Sequence, residues 1–291
     1  MKSSVKTQNK IQLNSLKVAS WNIEGRLTDT GAKSRGSSAQ IIDAIRQLNA
    51  DVLVLLEAHS QISLDDLKLK QQLIDMGYYL YNTLYKDDMH LRKDAYTPQL
   101  SSLLLSKTPV ETIETFRLGN VRNAFAAIVK IAQSTQKLRV IGVHLDDRQE
   151  STRLKQIDDL SKIINQSDLP TVVLGDFNAM HGDDLWPAKF LRSQPIRLLA
   201  SLIWPRIFLK VVGMATGDSL RLLQSSTNLH DADTRHQPTT TPKLRGYEWL
   251  PSIRLIQIDH MFISPGVQIQ DFRVQKDGGA DHRAIVATLL I

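Results

Sequence analysis

The stretch TVVLGDFNAM (171–180) begins as an apolar run and ends in polar side chains. The run TVVLG is typical of a strand that is buried on both faces of a sheet. Asp176 and Asn178 follow it, at a point where a hydrophobic core does not tolerate an unpaired carboxylate. One carboxylate at the end of a strand is usually a turn-forming or capping residue. The stretch therefore predicts a buried strand, and it leaves the purpose of its polar end open.

Other apolar runs of the chain end in polar groups in the same way. The runs that predict strands are LKVASWNI (16–23), DVLVLLEAH (51–59), LSSLLLS (100–106), AFAAIVKIA (124–132), LRVIGVHL (138–145), QIDHMFIS (257–264) and RAIVATLL (283–290). The polar groups at the strand ends are Asn22, Glu57, His144, Asp176 with Asn178, Asp259 with His260, and Asp281 with His282. Six such cases in one chain are difficult to explain as six unrelated caps. We therefore expect these groups to form one site.

Two segments have apolar residues at helical spacing. Their apolar positions are Ile41, Ile42, Ile45 and Leu48 after the capping residues Ser37 and Ser38, and Leu154, Ile157, Leu160, Ile163 and Ile164 after the His144 strand. Many strands with few helices predict two sheets packed face to face, with helices outside. Because the chain has no internal repeat or low-complexity linker, we expect a flexible tail at 1–15 and a single domain at 16–291.

The composition of the 291 residues limits the chemistry. Cysteine is absent, so disulfides, thiol catalysis and thiolate-bound zinc are excluded, and a metal would bind to oxygen or imidazole. The net charge of +6 favours anionic partners without naming one. The longest apolar stretch, 198–214, is interrupted by Pro205, Arg206 and Lys210, and residues 1–15 lack the apolar run of a signal peptide. We expect a cytoplasmic protein without a transmembrane segment.

The polar groups at the strand ends suit the attack of water on phosphorus. A hard cation such as Mg²⁺, or Mn²⁺, binds carboxylates, polarises the phosphoryl oxygen and offsets charge on the leaving group. A further carboxylate can activate the water, while amides and a histidine donate hydrogen bonds to the developing charge. The set therefore indicates metal-assisted hydrolysis of a phosphoester.

Six segments resemble, in order, the motifs of the endonuclease/exonuclease/phosphatase superfamily, whose members are similar to deoxyribonuclease I. They are WNIEG (21–25), LLEAH (55–59), GVHLDDR (142–148), GDFNAM (175–180), QIDHMFIS (257–264) and ADHRAIV (280–286). The resemblance covers nearly the whole chain. It implies a four-layered α/β sandwich, in which two central, mostly antiparallel β-sheets are flanked by helices.

The resemblance also implies a metal-dependent phosphoric ester hydrolase. Our first hypothesis is a phosphodiesterase or nuclease with a phosphoester substrate, which includes nucleic acid. The second is a phosphatase, or a phospholipase-type diesterase, that acts on a small or lipid phosphate. The third is a catalytically inactive binding protein with the same fold, which is disfavoured because every charged catalytic position is filled.

The metal ligands that the resemblance implies are Glu57, as the principal ligand, with Asn22 and Asp281. The alternative for Asn22 is a residue that only closes a turn. The sequence does not decide between one metal ion and two.

The resemblance assigns catalytic roles to five further residues. Asp176 would orient and activate the water, and Asn178 would bind a phosphate oxygen. His282 would donate a hydrogen bond to the phosphoryl group, with Asp259 holding its ring in the correct tautomer. His144 would face the phosphate or the leaving group, or else be a buried core histidine.

The remaining histidines at the motifs are expected to have no catalytic role. His260 lies on the opposite face of its strand from Asp259, and we expect it to be structural. His59 and His181 are expected to be loop residues.

Two arginines are further candidates for substrate binding. Arg122, in the segment RNAF (122–125), resembles the arginine before a central strand in the tyrosyl-DNA phosphodiesterase branch, and the alternative is a surface salt bridge. Arg148 could reach phosphate or pair with Asp147. An Arg-x-x-Gln step, Arg153 and Gln156, resembles the helix that follows the histidine strand in one branch of the superfamily.

Substrate choice is expected to come from the loops 86–98, 185–214 and 234–251. Tyr96 is a weak match to the phosphate-binding tyrosine of abasic-site endonucleases, which argues against that activity. The segment 234–251 mixes cations and aromatics that suit a phosphate and a stacked base, or it is an ordinary surface loop. The basic segment 185–214 could grip a nucleic-acid backbone, contact a membrane surface or pack as a helix on the domain. The oligomeric state stays open.

Overall fold

The computed structural model describes residues 14–25, 27, 38–85, 101–119, 122–132, 134–181, 213–240, 256–276 and 278–291. The strands are β1 (Ser15–Asn22), β2 (Val52–Leu56), β3 (Tyr79–Asn82), β4 (Leu103–Ser106), β5 (Val110–Leu118), β6 (Arg122–Lys130), β7 (Lys137–His144), β8 (Thr171–Asp176), β9 (His230–Asp231), β10 (Asp259–Ile263), β11 (Gln268–Val274) and β12 (Ile285–Leu290). The helices are α1 (Ser38–Leu48), α2 (Ser60–Asp65), α3 (Leu67–Asp75), α4 (Glu150–Ile164) and α5 (Asp218–Ser226).

The strands form two sheets of six strands each. The first sheet has the order β11-β12-β1-β2-β4-β3, and the second has the order β5-β6-β7-β8-β10-β9. The pairs β1–β2 and β7–β8 are parallel, whereas the other neighbouring pairs are antiparallel. Each sheet therefore has one parallel pair near its centre within a mostly antiparallel arrangement.

Three hydrophobic clusters define the layers. The central cluster contains side chains from both sheets, among them Val18, Val54, Val140, Leu174 and Ile285. A second cluster packs α1 and α3 on the first sheet, and a third packs α4 and α5 on the second sheet. The order of layers is helix, sheet, sheet, helix, which confirms the predicted four-layered α/β sandwich.

The apolar runs predicted as strands all contain strands of the structure. The strands β3, β5, β9 and β11 and the helices α2, α3 and α5 were not predicted. β5 and β11 have exposed residues along much of their length, so they have no continuous apolar run. β1 begins at Ser15, and Asn14 exchanges backbone hydrogen bonds with Ile291.

Parts of the predicted tail and specificity loops lie outside the described residues. They are 1–13 of the tail, 86–98, 185–212 and 241–251, which include Tyr96. Within the part of the chain that is described, no helix has both the length and the apolar character needed to cross a membrane.

Candidate active site

The ends of the central strands meet at one rim of the sandwich. β1 ends at Asn22 and β2 at Leu56, which are partners in the parallel register of the first sheet. β7 ends at His144 and β8 at Asp176, which are partners in the second sheet, and Asp259 of β10 is also opposite Asp176. Because β10 runs antiparallel, its first residue reaches the same rim as the last residues of β7 and β8. The topology therefore brings together polar groups that are far apart in the sequence.

Strand alternation turns these groups toward the space between the sheets. In β8, Leu174 belongs to the central cluster, so Asp176 faces the same side two residues later. Gly175 between them packs directly on β7, because a Cβ atom at this position would lie 1.9 Å from the carbonyl oxygen of Val143. A side chain at position 175 would therefore push β8, with Asp176, away from the end of β7.

We call the polar groups at this rim the strand-end cluster. Its members are Asn22, Glu57, His144, Asp176, Asp259, Asp281 and His282. Asn22 links the two sheets, since its Nδ2 atom donates to Glu57 Oε1 at 3.2 Å and to Asp176 Oδ2 at 3.1 Å. The structure thus brings the predicted metal-binding and catalytic residues to one place.

Asp176 lies at the centre of the cluster and is 2% exposed. Its Oδ1 atom accepts a hydrogen bond from the backbone N–H of Asn178 at 2.9 Å. Its Oδ2 atom is 3.6 Å from His144 Nε2 and 3.8 Å from His282 Nε2. The carboxylate is therefore held in place, while one oxygen faces two imidazoles.

The electrostatics of the cluster set the protonation of Asp176 and His282. Burial raises the pKa of Asp176 to about 6. The charge of His282 lowers this pKa, and the nearby Asp259 carboxylate raises it. Burial disfavours the charged form of His282, yet the carboxylates of Asp259, Asp281 and Asp176 together raise its pKa to about 10. At neutral pH the site thus holds a carboxylate that can accept a proton beside a cationic imidazolium.

His282 is fixed from two sides. Its Nδ1 atom is 2.8 Å from Asp259 Oδ2, the arrangement expected if Asp259 holds the tautomer and orientation of the ring. Its backbone carbonyl accepts a hydrogen bond from Trp21 Nε1 at 3.0 Å. Gly278 packs against the Trp21 ring, because a Cβ atom there would lie 2.7 Å from it. Trp21 therefore ties the segment that carries His282 to β1, a role that the sequence analysis did not assign.

Glu57 lies where negative charge is concentrated. Burial raises the pKa of Glu57, and the carboxylates of Asp281 and Asp176 raise it further, although the hydrogen bond from Asn22 lowers it. The Glu57 side chain is 26% exposed, and the residue has a φ of 51°, a conformation that side-chain-bearing residues rarely adopt. Strained, partly exposed carboxylates with raised pKa values are common at functional sites.

The sequence comparison identifies the family. The Endonuclease/Exonuclease/phosphatase family matches residues 19–282, which is most of the chain. The chain belongs to this family. Endonucleases, exonucleases and phosphatases all hydrolyse phosphoesters.

Solved structures share the fold at low sequence identity. The endonuclease/exonuclease/phosphatase from Bacteroides vulgatus is 16% identical, with a TM-score of 0.65 over 94% of this chain and 98% of that chain. ANGEL2, a 2′,3′-cyclic phosphatase, is 15% identical, with a TM-score of 0.64 over 99% of each chain. The mannosyl-6-phosphatase Bt3783 of Bacteroides thetaiotaomicron is 14% identical, with a TM-score of 0.60 over 95% of this chain and 100% of that chain. Among curated proteins, no sequence matches the chain.

The donor groups of this family member fit a hard cation. The carboxylates of Asp281 and Asp176 raise the pKa of Glu57, and a divalent cation between these groups would offset the cost of ionising Glu57. A second group, Asp176, Asp259 and His282, has ligand atoms within 4.8 Å of one another. All three residues of this second group are buried, whereas the Glu57 side chain is 26% exposed, so the Glu57 side of the cluster is the better position for a metal that enters from solvent.

Arg122 is buried behind the cluster. Its Nη1 atom is 3.3 Å from His144 Nε2, and its Nη2 atom donates to Asp147 Oδ1 at 3.1 Å. Arg122 thus makes the salt bridge that the alternative predicted, but with 3% of its own surface exposed it lies buried at the site and not at the protein surface. The side chain of Arg148 is 74% exposed, and its Nε atom is 4.0 Å from Asp147 Oδ1. Arg148 therefore remains accessible at the edge of the site.

The Arg-x-x-Gln step braces the loop that follows His144. The buried Arg153 donates from Nη1 to the Asp146 carbonyl at 2.8 Å and pairs with Glu150 at 2.7 Å. The side chain of Gln156 accepts from the Asp146 N–H at 2.9 Å. Both side chains hold the loop through the backbone of Asp146, and neither residue is part of the strand-end cluster.

Two histidines outside the cluster have specific partners. His260 is fully buried, and its Nε2 atom is 2.8 Å from the Ala179 carbonyl, consistent with the structural role predicted for it. His181 was expected to be a simple loop residue, but its Nε2 atom is 2.8 Å from Asp231 Oδ2. The partner lies fifty positions away on β9, so the sequence offered no local signal for this pair.

Proposed function

We propose that this protein is a divalent-metal-dependent phosphodiesterase. The observation that carries the proposal is the geometry around the buried Asp176 carboxylate, whose Oδ2 atom lies 3.6 Å from His144 Nε2 and 3.8 Å from His282 Nε2, while Asn22 joins it to Glu57. The pKa of Asp176, which burial raises to about 6, beside the His282 imidazolium supports it. A base with this pKa is largely ionised at neutral pH and can still accept a proton from water. The adjacent cation suits the charge that develops on phosphoryl oxygens.

The residues of the strand-end cluster and the neighbouring Asn178 have separate tasks in this proposal. Asp176 orients the attacking water and takes its proton. His282 donates a hydrogen bond from Nε2 to a phosphoryl oxygen, with Asp259 holding its ring. Asn178 donates one N–H of its side chain to the Leu145 carbonyl at 3.0 Å, and the second N–H is assigned to a phosphate oxygen. His144 faces the leaving group.

The metal would be Mg²⁺ or Mn²⁺, held by Glu57 and Asp281 with the side-chain oxygen of Asn22. That oxygen also accepts a hydrogen bond from the Glu24 N–H at 3.1 Å, which a carbonyl group with two lone pairs can accommodate. The ion would supply positive charge that polarises the phosphoryl group. The buried Arg122 would add charge on the His144 side of the substrate.

The substrate class is the part of the proposal that needs the widest test. A net charge of +6 suits an anionic substrate, including single- or double-stranded nucleic acid. Wild type should be assayed with Mg²⁺ and Mn²⁺ on bis-p-nitrophenyl phosphate, p-nitrophenyl phosphate, both forms of nucleic acid and phospholipid. Hydrolysis of diesters supports the proposal. Release from the monoester alone would replace it with a phosphatase, and no hydrolysis at all would favour a binding protein.

The variant Asp176→Asn tests the mechanism. We expect turnover to fall at least about 100-fold, the scale of a lost general base, while the circular dichroism spectrum is unchanged. Asp158→Asn is the matched control, since Asp158 is exposed on α4 and pairs only with Lys162 among the ion pairs described. Normal turnover by Asp176→Asn would contradict the assigned role of Asp176.

A further inference from the structure

A second group of polar side chains lies behind β10, on the face opposite Asp259. One ligand atom each from His181, Asp231 and His236 lies within 4.8 Å of the other two. The ring centroids of His181 and His236 are 4.3 Å apart, and His181 Nε2 is 2.8 Å from Asp231 Oδ2. We propose that these three residues, the outer cluster, form a binding site for Zn²⁺ that is separate from the strand-end cluster.

The alternation of β10 separates the two clusters. Met261 belongs to the central hydrophobic cluster between the sheets, so Asp259 faces the same side. Phe262 belongs to the cluster under α4 and α5, so His260 faces outward with it. The His260 ring is 5.5 Å from the ring of His181, measured between centroids. The outer cluster therefore lies on the other side of the sheet from the proposed phosphoester site.

The loop after β9 holds two of the ligands in place. Asp233 is buried, and its carboxylate accepts the backbone N–H groups of Arg235 at 3.0 Å and Gln237 at 2.7 Å. Its own N–H donates to Asp231 Oδ1 at 2.8 Å. The loop thus turns around Asp233 and holds His236, whose φ is 50°, close to Asp231. These hydrogen bonds within the protein fix the positions of the ligands, which lowers the cost of ordering them when an ion binds.

The donor set of the outer cluster selects the kind of metal. Two imidazoles and one carboxylate are typical ligands of Zn²⁺, and three protein ligands leave a coordination position for water. Adjacent ligands of tetrahedral zinc are about 3–3.5 Å apart, a separation that small side-chain movements would reach from the present geometry. All three residues are half-buried, so an ion can enter from solvent.

His260 provides a second, independent observation. It is fully buried, and its Nε2 atom is 2.8 Å from the Ala179 carbonyl. Its Nδ1 atom is directed at Asp231 Oδ2 at 3.5 Å and makes no hydrogen bond within the described part of the chain. Carboxylates that bind zinc are commonly supported from behind by such a group, which orients them toward the ion. His260 is therefore inferred to be a positioning residue for Asp231.

The test uses the full-length, metal-stripped protein with Co²⁺ as a visible probe for Zn²⁺. Saturating Mg²⁺ is included to occupy the strand-end cluster. We expect one Co²⁺ per chain, with the visible absorption of a nitrogen-ligated site that Zn²⁺ displaces. His236→Gln should weaken Co²⁺ binding at least about 100-fold, because it removes a direct ligand. His230→Gln, at an exposed histidine of β9, is the matched control and should bind as wild type does.

Two results would overturn the proposal. One is a wild-type protein that takes up no Co²⁺ in the presence of Mg²⁺, and the other is equal Co²⁺ affinity in wild type and His236→Gln. Either would leave the outer cluster as a hydrogen-bonded network that only fixes the loop. If His236→Gln does not fold by circular dichroism, His181→Gln repeats the test at a ligand outside that loop. The readout does not depend on phosphoester hydrolysis, so it is independent of the proposed function.

Discussion

The two faces of β10 carry polar clusters with opposite compositions. On the inner face, the strand-end cluster surrounds His282 with several carboxylates, and the pKa of this histidine rises to about 10. On the outer face, a single carboxylate, Asp231, faces several imidazoles. Burial alone would raise the pKa of Asp231, but the hydrogen bond with His181 and the nearby His260 imidazole hold it well below its usual range. In the strand-end cluster the carboxylates therefore favour the charged form of His282, and in the outer cluster the imidazoles favour the charged form of Asp231.

The difference predicts which ion each cluster prefers. Oxygen-rich sites suit hard cations such as Mg²⁺, and imidazole-rich sites suit Zn²⁺. One strand would thus separate two metals by turning alternate side chains to opposite faces. The clusters are also connected, because Thr239 and Thr240, at the end of the loop that carries His236, bind the backbone of Arg283 and Asp281.

Among the variants that distinguish the two clusters, Glu57→Gln is expected to have the largest effect. Loss of this carboxylate should raise the Mg²⁺ concentration needed for half-maximal activity at least about tenfold, since the proposed principal ligand is removed. Co²⁺ binding at the outer cluster should not change. Glu114→Gln, at an exposed position of β5, serves as the control. An unchanged Mg²⁺ titration would remove Glu57 from the ligand set and weaken the contrast between the two sites.

Asp259→Asn tests the charge balance of the inner face. His282 would lose the carboxylate that contributes most to its raised pKa, so the alkaline limb of the pH–activity profile should move from about 10 toward neutral pH. The raised pKa also links His282 to stability: the contribution is complete below the ordinary histidine pKa and is lost as pH rises through about 10. The destabilisation by Asp259→Asn, measured by urea unfolding, should therefore be larger at neutral pH than above pH 10.

An alkaline limb that stays in place would show that Asp259 does not control His282. Asp271→Asn offers a control, because Asp271 is an exposed carboxylate on β11. Its pH–activity profile should match that of wild type.

The smallest effect is expected from Trp21→Phe, which removes the hydrogen bond from Trp21 Nε1 to the His282 carbonyl. The free energy of unfolding should fall by about 1–3 kcal/mol, because the buried carbonyl loses its partner. Tyr79→Phe, at an exposed aromatic residue on β3, should change it by less than about 0.5 kcal/mol. If Trp21→Phe reduced the free energy of Co²⁺ binding at the outer cluster by as much as it reduced the free energy of unfolding, the two clusters could not be treated as separate.

The sequence predicted those parts of the molecule in which burial leaves a continuous pattern. β2 and β8 are buried along their whole length, so their apolar runs are unambiguous and the polar residues after them stand out. β5 and β11 are edge strands with exposed side chains, and their mixed composition resembles that of a loop. The edges of both sheets were therefore less predictable than their centres.

The same reasoning explains why one cluster was predicted and the other was not. Every member of the strand-end cluster stands at or just beyond a buried strand, or in a motif that resembles the family. Asp231 lies in a strand of two residues, and His181 lies in a loop after β8. Only the pairing of β8 with β10, and of β10 with β9, brings them together.

The contact between Gly175 and β7 has a consequence for anyone who redesigns this protein. Even alanine at position 175 would collide with the Val143 carbonyl, so mutant libraries that randomise the whole GDFNAM segment would consist mainly of misfolded chains. Diversity is better placed at exposed positions near the site, such as Arg148, where side chains can change without moving a strand. Selection for new substrates can then proceed on a backbone whose register is left intact.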